Sequence, residues 1–340
     1  MMSTASTVED GLLSRGAPDA PRRAAAPPRW AVPAALLVVW LTMGANFLGF
    51  KVAVETLPPF LMVAVRLLAA GLILLALGYA FDARLHPSGR RQTPTVRQLR
   101  SAVATGMLLL VVGQGALVWG VQRLAAGTAA VLTSSMPLWL ALLSFVWLKR
   151  PLSRQELLGL GVGFAGLVLL SVSRDAGGEA LDPVAAVVIL LGAVGAAAGV
   201  LFSHDADLPE NAVLGTAVEM LSAGLVLGGV ALALGEPAAF SPAQVSARSL
   251  WALLYLILGG GVIGFCAFAW LTRAASASTA STFAYVGPVV ALGLSAWLLD
   301  EAVGPAKLVA ALLALGGAAL MVLAHRGAPQ CPSKVRPCTQ

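Results

Sequence analysis

Apolar residues occupy this chain in blocks of about twenty, divided by short polar stretches rich in Arg, Pro and Gly. A block of that length crosses the ~30 Å hydrocarbon layer of a bilayer as an α-helix. Ten such runs are predicted: 30–53, 59–81, 101–121, 127–148, 155–173, 183–203, 211–234, 250–272, 277–299 and 305–325. The strict apolar/polar alternation that a membrane barrel needs is absent, which leaves helices as the way to satisfy backbone groups in lipid. The expected fold class is therefore an all-α membrane protein with ten transmembrane helices.

Composition strengthens this reading. Hydrophobic residues make up 58% of the 340, charged residues only 11%, and the mean hydropathy is +0.86. A soluble protein carries about 25% charged residues. The net charge of +6 does not indicate nucleic acid, because the basic residues sit in tails and short connections rather than on one face. The expected partner surface is the lipid bilayer. Cys266, Cys331 and Cys338 form neither a disulfide framework nor a metal-ligand pattern, and no cofactor is expected.

Ten is even, so both chain ends share a side. Sixteen of the 22 Lys and Arg fall in the segments on that side, and only Arg123, Arg174, Arg248 and Lys307 fall on the other. The positive-inside rule then predicts both termini in the cytoplasm, with residues 1–29 and 326–340 as cytoplasmic tails, the first of them disordered. Ser153 and Glu156 have capping-box spacing at the start of the fifth run, and Pro305 suits a first helical turn.

The two halves resemble each other. Displaced by 153 residues, Val65-Arg66-Leu67-Leu68 falls on Val218-Glu219-Met220-Leu221; displaced by 151, Gly113, Trp119, Pro137 and Gly166 fall on Gly264, Trp270, Pro288 and Gly317. Each unit, 30–173 and 183–325, holds five runs, and an odd number forces the second copy to enter from the opposite face. Two inverted five-helix repeats are thus predicted, the arrangement that gives alternating-access transporters two related states around one midplane site.

The residues Gly44-Ala45-Asn46-Phe47 with Lys51, Pro58-Pro59, Val65-Arg66 and Ala126-Gly127-Thr128-Ala129-Ala130 leading to Pro137 carry a family resemblance. So do Leu208-Pro209, Glu219-Met220-Leu221 and Ala284-Tyr285-Val286-Gly287-Pro288. The chain resembles the drug/metabolite transporter superfamily in its ten-helix EamA form, most closely the YedA-like bacterial branch, from Trp40 to His325. That resemblance implies a bacterial inner-membrane, multi-pass secondary transporter. It implies a cavity lined mainly by spans one, three, four, six, eight and nine, and export of metabolites, amino acids or toxic amphipathic compounds. A homodimer is one assembly left open. Where the family often has Asn or Glu before Pro288 this chain has Gly287, and Lys149-Arg150 stands where Gly-Glu is usual.

Three ionisable residues fall within the runs: Lys51, Arg66 and Glu219. A charge at mid-bilayer costs about 2.5–3.5 kcal/mol, so each needs a cavity or a partner. Lys51 lies near the end of its run, where reaching to the interface is the simpler role. Glu219 suits proton uptake and release, and Arg66 suits orientation of an anionic group; packing roles for both stay open beside these. The polar and aromatic cavity candidates are Asn46, Gln114, Trp119, Ser134, Ser135, Trp270, Thr282 and Tyr285, set against close helix packing as the alternative for each. Pro137 and Pro288 are candidate kinks or gates.

No catalytic residue is assigned. An intramembrane serine protease needs a central His, whereas His86, His204 and His325 lie in loops or at helix ends. Asp205, Asp207 and Glu210 read as solvated loop charges rather than a metal site. A membrane sensor or structural protein is the other reading, one that has no use for inverted halves.

Overall fold

The computed structural model describes residues 30–80, 94–149, 151–172, 182–274, 283–301 and 304–324. The expected tails and Thr282 lie outside them. Among the described residues all regular structure is helical, in ten long units that follow the ten apolar runs. They are α1 (Ala31–Ala53), α2 (Pro59–Ala80), α3 (Val96–Val121), α4 (Ala126–Thr133 continued by Met136–Leu148) and α5 (Arg154–Val172). The second half repeats them as α6 (Pro183–Asp205), α7 (Ala212–Ala233), α8 (Ala247–Tyr255, Leu256–Gly264 and Phe265–Ala274), α9 (Phe283–Leu298) and α10 (Pro305–Ala324). By length and composition seven of these are apolar enough to cross a membrane: α1 to α4 and α6 to α8. Shorter apolar helices, Val286–Leu298 and Leu308–Leu320, lie in α9 and α10.

Polar caps decide where the helices start. Ser153 N donates to Glu156 Oε2 at 2.7 Å while Glu156 N donates to Ser153 Oγ at 3.2 Å, closing the expected capping box. Asp182 and Asn211 each accept backbone N–H groups two and three residues on, opening α6 and α7. The expected start of the ninth run at 277 lies outside the described residues, and two described starts differ from expectation. A second capping box, Thr95 with Gln98, begins α3 at Val96 rather than 101, so a polar turn precedes its apolar run. Ser246 accepts from Ser249 N and begins α8 at Ala247 rather than 250.

Two helices contain wide π-helical segments, Met107–Val112 in α3 and Leu256–Gly264 in α8. They occupy matching positions at the repeat offset, so the irregularity belongs to the repeated unit. The helix α4 breaks at Ser134-Ser135, with Pro137 at the second position of the segment that follows. Pro288 sits inside α9.

Packing displays the inversion directly. The pairs α2 with α7 and α5 with α10 form the most extensive helix contacts; α1 packs on α8 and α9, and correspondingly α6 on α3 and α4. A Cβ built on Gly71 would stand 2.9 Å from Leu221 Cγ, and one on Gly224 would stand 2.9 Å from Leu68 Cγ. These are the same contact with its partners exchanged, at an offset of 153. Likewise Gly166 lies against Ala310 O and the Ala314 backbone, and Gly317 against Gly159 O and the Gly163 backbone, the exchange at 151. A two-fold relation between the halves produces reciprocal pairs of this kind, as the inverted repeats predicted from the sequence require. Glycine at these crossings lets backbones approach, the usual means of helix association in lipid.

Candidate functional site

The inversion sets Arg66 and Glu219 at equal depths from opposite ends of the bundle. Each lies seven residues into its helix, about 10 Å along the axis. One end is marked by Lys51, the other by Asp207.

Arg66 is 4% exposed and joins four helices. Its Nε donates to Leu256 O of α8 at 3.2 Å, its Nη1 donates to Gln114 Oε1 of α3, and its guanidinium lies 4.8 Å from the centre of the Phe50 ring of α1. Every one of these partners is neutral. The ion pairs among the described residues involve Arg97, Arg123, His204 and Arg248, all at exposed positions, and none involves Arg66. The accepting carbonyl of Leu256 opens the π-helical segment of α8, and segments of this type recur at functional sites. Next to it, Tyr255 donates its hydroxyl to Thr42 O at 3.0 Å.

Asn46 stands one turn before Phe50 on α1. Its Oδ1 is buried without a hydrogen-bond partner, and it faces Gly260 so closely that a Cβ there would overlap it. The missing side chain at Gly260 therefore allows α1 and α8 to meet. Glu219, half-buried on α7, has its backbone against Gly106 of α3, where a Cβ would come within 2.7 Å of Glu219 O. Among the described residues its carboxylate has no hydrogen bond or ion pair.

Lys51 and Glu301 clasp the turn between α3 and α4 from its two sides. Lys51 Nζ donates to Val121 O and Leu124 O, both at 2.9 Å, while Glu301 accepts from Ala126 N at 2.8 Å and Gly127 N at 3.4 Å. A cation at the carbonyl end of α3 and an anion at the amide end of α4 match both helix dipoles. At the same end Glu236 accepts from Phe60 N and Leu61 N and caps α2. Lys51 thus bonds backbone instead of reaching free to the interface.

The remaining sequence candidates are placed differently from one another. The hydroxyls of Ser134 and Ser135 donate to Val131 O and Leu132 O, both at 2.6 Å, and so serve the broken end of α4's first segment. Trp119 lies under the Arg123 guanidinium, 3.9 Å from its ring centre, near the Lys51 end. Trp270 is 39% exposed on α8, and Tyr285 belongs to α9. Gln114 alone among these candidates bonds Arg66. Asp207 pairs with Arg97 at 3.9 Å, and His204 lies 3.5 Å from Asp205, both exposed. Sequence reasoning missed Phe50, Glu236 and Glu301. The first looks like an ordinary packing residue, and the two carboxylates look like loop charges.

Comparison with known proteins agrees with this architecture. The EamA-like transporter family model matches twice, at residues 30–172 and 183–323. The chain is 33% identical over 268 residues to the uncharacterized inner membrane transporter YedA of Escherichia coli (strain K12), covering 78% of this chain and 82% of that protein. It is 28% identical over 255 residues to the protein PecM of Dickeya dadantii, covering 74% and 78%. A solved crystal structure shares the fold with a TM-score of 0.58 at 18% identity, covering 88% of this chain and 99% of that one. The matched pairs of glycine contacts and the twofold family match lead to one conclusion: the chain belongs to the EamA-like transporter family, a family of transporters and not of enzymes.

Proposed function

We propose that the protein is an inner-membrane secondary transporter that exports small organic metabolites, amino acids or toxic amphipathic compounds by alternating access. The observation that carries this reading is the reciprocal packing of α2 on α7 and α5 on α10. Halves related in that way exchange roles at little cost, which provides two access states of similar energy. Similarity to an inner membrane transporter supports the location. The excess of Lys and Arg in alternate connections supports cytoplasmic termini and, with them, an outward-facing Lys51 end.

Proton coupling fits Glu219. A carboxylate within the membrane that meets no counter-ion among the described residues exchanges between neutral and charged forms as its surroundings change from dry to wet. Thr105, whose buried hydroxyl has no partner, directly precedes the glycine on which the Glu219 backbone packs.

Two measurements test these readings. In proteoliposomes screened with amino acids and amphipathic toxic compounds, a solute that collapses an imposed pH gradient in the wild type is expected to leave it intact with Glu219→Gln, while solute exchange at equal pH persists. Equal collapse in both proteins removes Glu219 from the coupling. For orientation, single cysteines at Ser88 and Gly177, in a background lacking Cys266, Cys331 and Cys338, are expected to react with an impermeant maleimide from opposite sides. Labelling of both from one side defeats the inverted arrangement.

A further inference from the structure

From the donor cluster around Arg66 we infer that the transporter's substrate site takes a monocarboxylate, bound by the Arg66 guanidinium with Gln114 as its positioning residue. The inference deepens the transport reading by giving its solute a chemical class, and its test does not depend on transport.

The argument begins with hydrogen-bond capacity. A guanidinium has five N–H donors and no acceptor. Nε and one Nη1 hydrogen of Arg66 are engaged, by Leu256 O and Gln114 Oε1. Nη2 has no hydrogen bond among the described residues. Because the guanidinium only donates, the oxygen of the Gln114 amide must face it, and the Nε2 amino group points away without a described partner. The groups left over on Arg66 and Gln114 are all donors. A ligand that satisfies such a set must present acceptors alone, which is the property of an ionised acid.

Charge narrows the class further. No described acidic group pairs with Arg66, and its three neighbours are a carbonyl, an amide and a phenyl ring. Lys51, the other cation within the runs, is held by the Val121 and Leu124 carbonyls. Among the described residues the cluster therefore carries one uncompensated positive charge, on Arg66, which is 4% exposed. A single negative charge neutralises it, whereas a phosphate dianion leaves a net negative charge in a medium of low dielectric. A planar carboxylate also matches the parallel N–H pair of a guanidinium edge. Phe50 and Tyr255 beside the cluster suit an organic acid with an apolar body.

The test uses the full-length protein in detergent, titrated calorimetrically with sodium benzoate and with three analogues of the same ring: benzyl alcohol, benzylamine and phenyl phosphate. Wild type is expected to bind benzoate about tenfold or more tightly than each of the others, the scale of a charge-assisted hydrogen-bonded pair. Gln114→Glu places a carboxylate of nearly the same shape on Arg66. That variant is expected to unfold at a temperature no lower than wild type and to bind benzoate about tenfold or more weakly, because the cation is already neutralised.

Benzoate binding no tighter than benzyl alcohol in the wild type overturns the inference. So does undiminished benzoate binding by a folded Gln114→Glu variant. Should that variant not fold, the wild-type selectivity alone decides. A protein that binds benzoate selectively but moves no solute across liposomes defeats the transport reading and leaves this site standing. Movement of amines without any carboxylate binding does the reverse.

Discussion

Gly166→Leu is expected to separate α5 from α10 and lower the stability of the purified protein by about 3 kcal/mol or more, the upper end for overpacking a tight contact. The reason is the nature of the obstacle. A Cβ on Gly166 would fall against the Ala314 amide and 2.8 Å from Ala310 O, both backbone, so no side chain can turn aside. Gly317→Leu meets the Gly163 backbone in the same way and is expected to behave alike. Gly161 and Gly316 lie on the same two helices with nothing within 4 Å of a Cβ. Alanine at either of these is expected to be neutral or to stabilise by up to about 1 kcal/mol, since glycine is the poorer helix former. Thermal unfolding in detergent checks all four. A Gly166→Leu protein as stable as Gly161→Ala would show that helix propensity, and not the close crossing, governs the pair.

The second large effect is expected where α1 meets α8. Gly260→Ala forces a methyl into the space of Asn46 Oδ1, and a loss of about 2 kcal/mol follows from strain in a packed interface. Asn46→Ala alone removes a buried acceptor that has no partner, so it is expected to be neutral or stabilising. The double variant should recover most of the loss, because the shortened side chain leaves room for the methyl. Such coupling between touching residues runs to about 0.5–3 kcal/mol. Unfolding temperatures of the four proteins close the cycle, and strict additivity would mean that the two residues do not meet as described.

How far the sequence reveals these contacts depends on their physical origin. Helix number and approximate limits are legible because length and hydropathy are local properties, and the Ser153 box and Pro305 mark ends by chemistry confined to one turn. The starts of α3 and α8 are displaced because polar turns with good caps extend helices beyond their apolar runs. The repeat offset shows that Arg66 and Glu219 correspond, yet it does not show that Arg66 bonds Gln114, 48 residues away on another helix. Rotation of an apolar helix about its axis leaves no periodic trace when every face is hydrophobic. For the same reason the π-helical segments and the Asn46–Gly260 contact are invisible before the helices are packed. Ser134 and Ser135 look like cavity hydroxyls in one dimension and bond carbonyls at a helix break in three.

Duplication made the halves alike in shape, but their ends have diverged in charge. At the repeat offsets Lys51 corresponds to His204 and Glu301 to Arg150. Lys51 and Glu301 hold the α3–α4 turn by four hydrogen bonds, whereas His204 is 85% exposed beside Asp205. The Lys51 end thus carries a charged clasp whose two residue types the sequence does not repeat. Moving the α3–α4 turn therefore means breaking four charge-assisted hydrogen bonds, a restraint that rests on two charges not carried at the equivalent positions of the opposite halves.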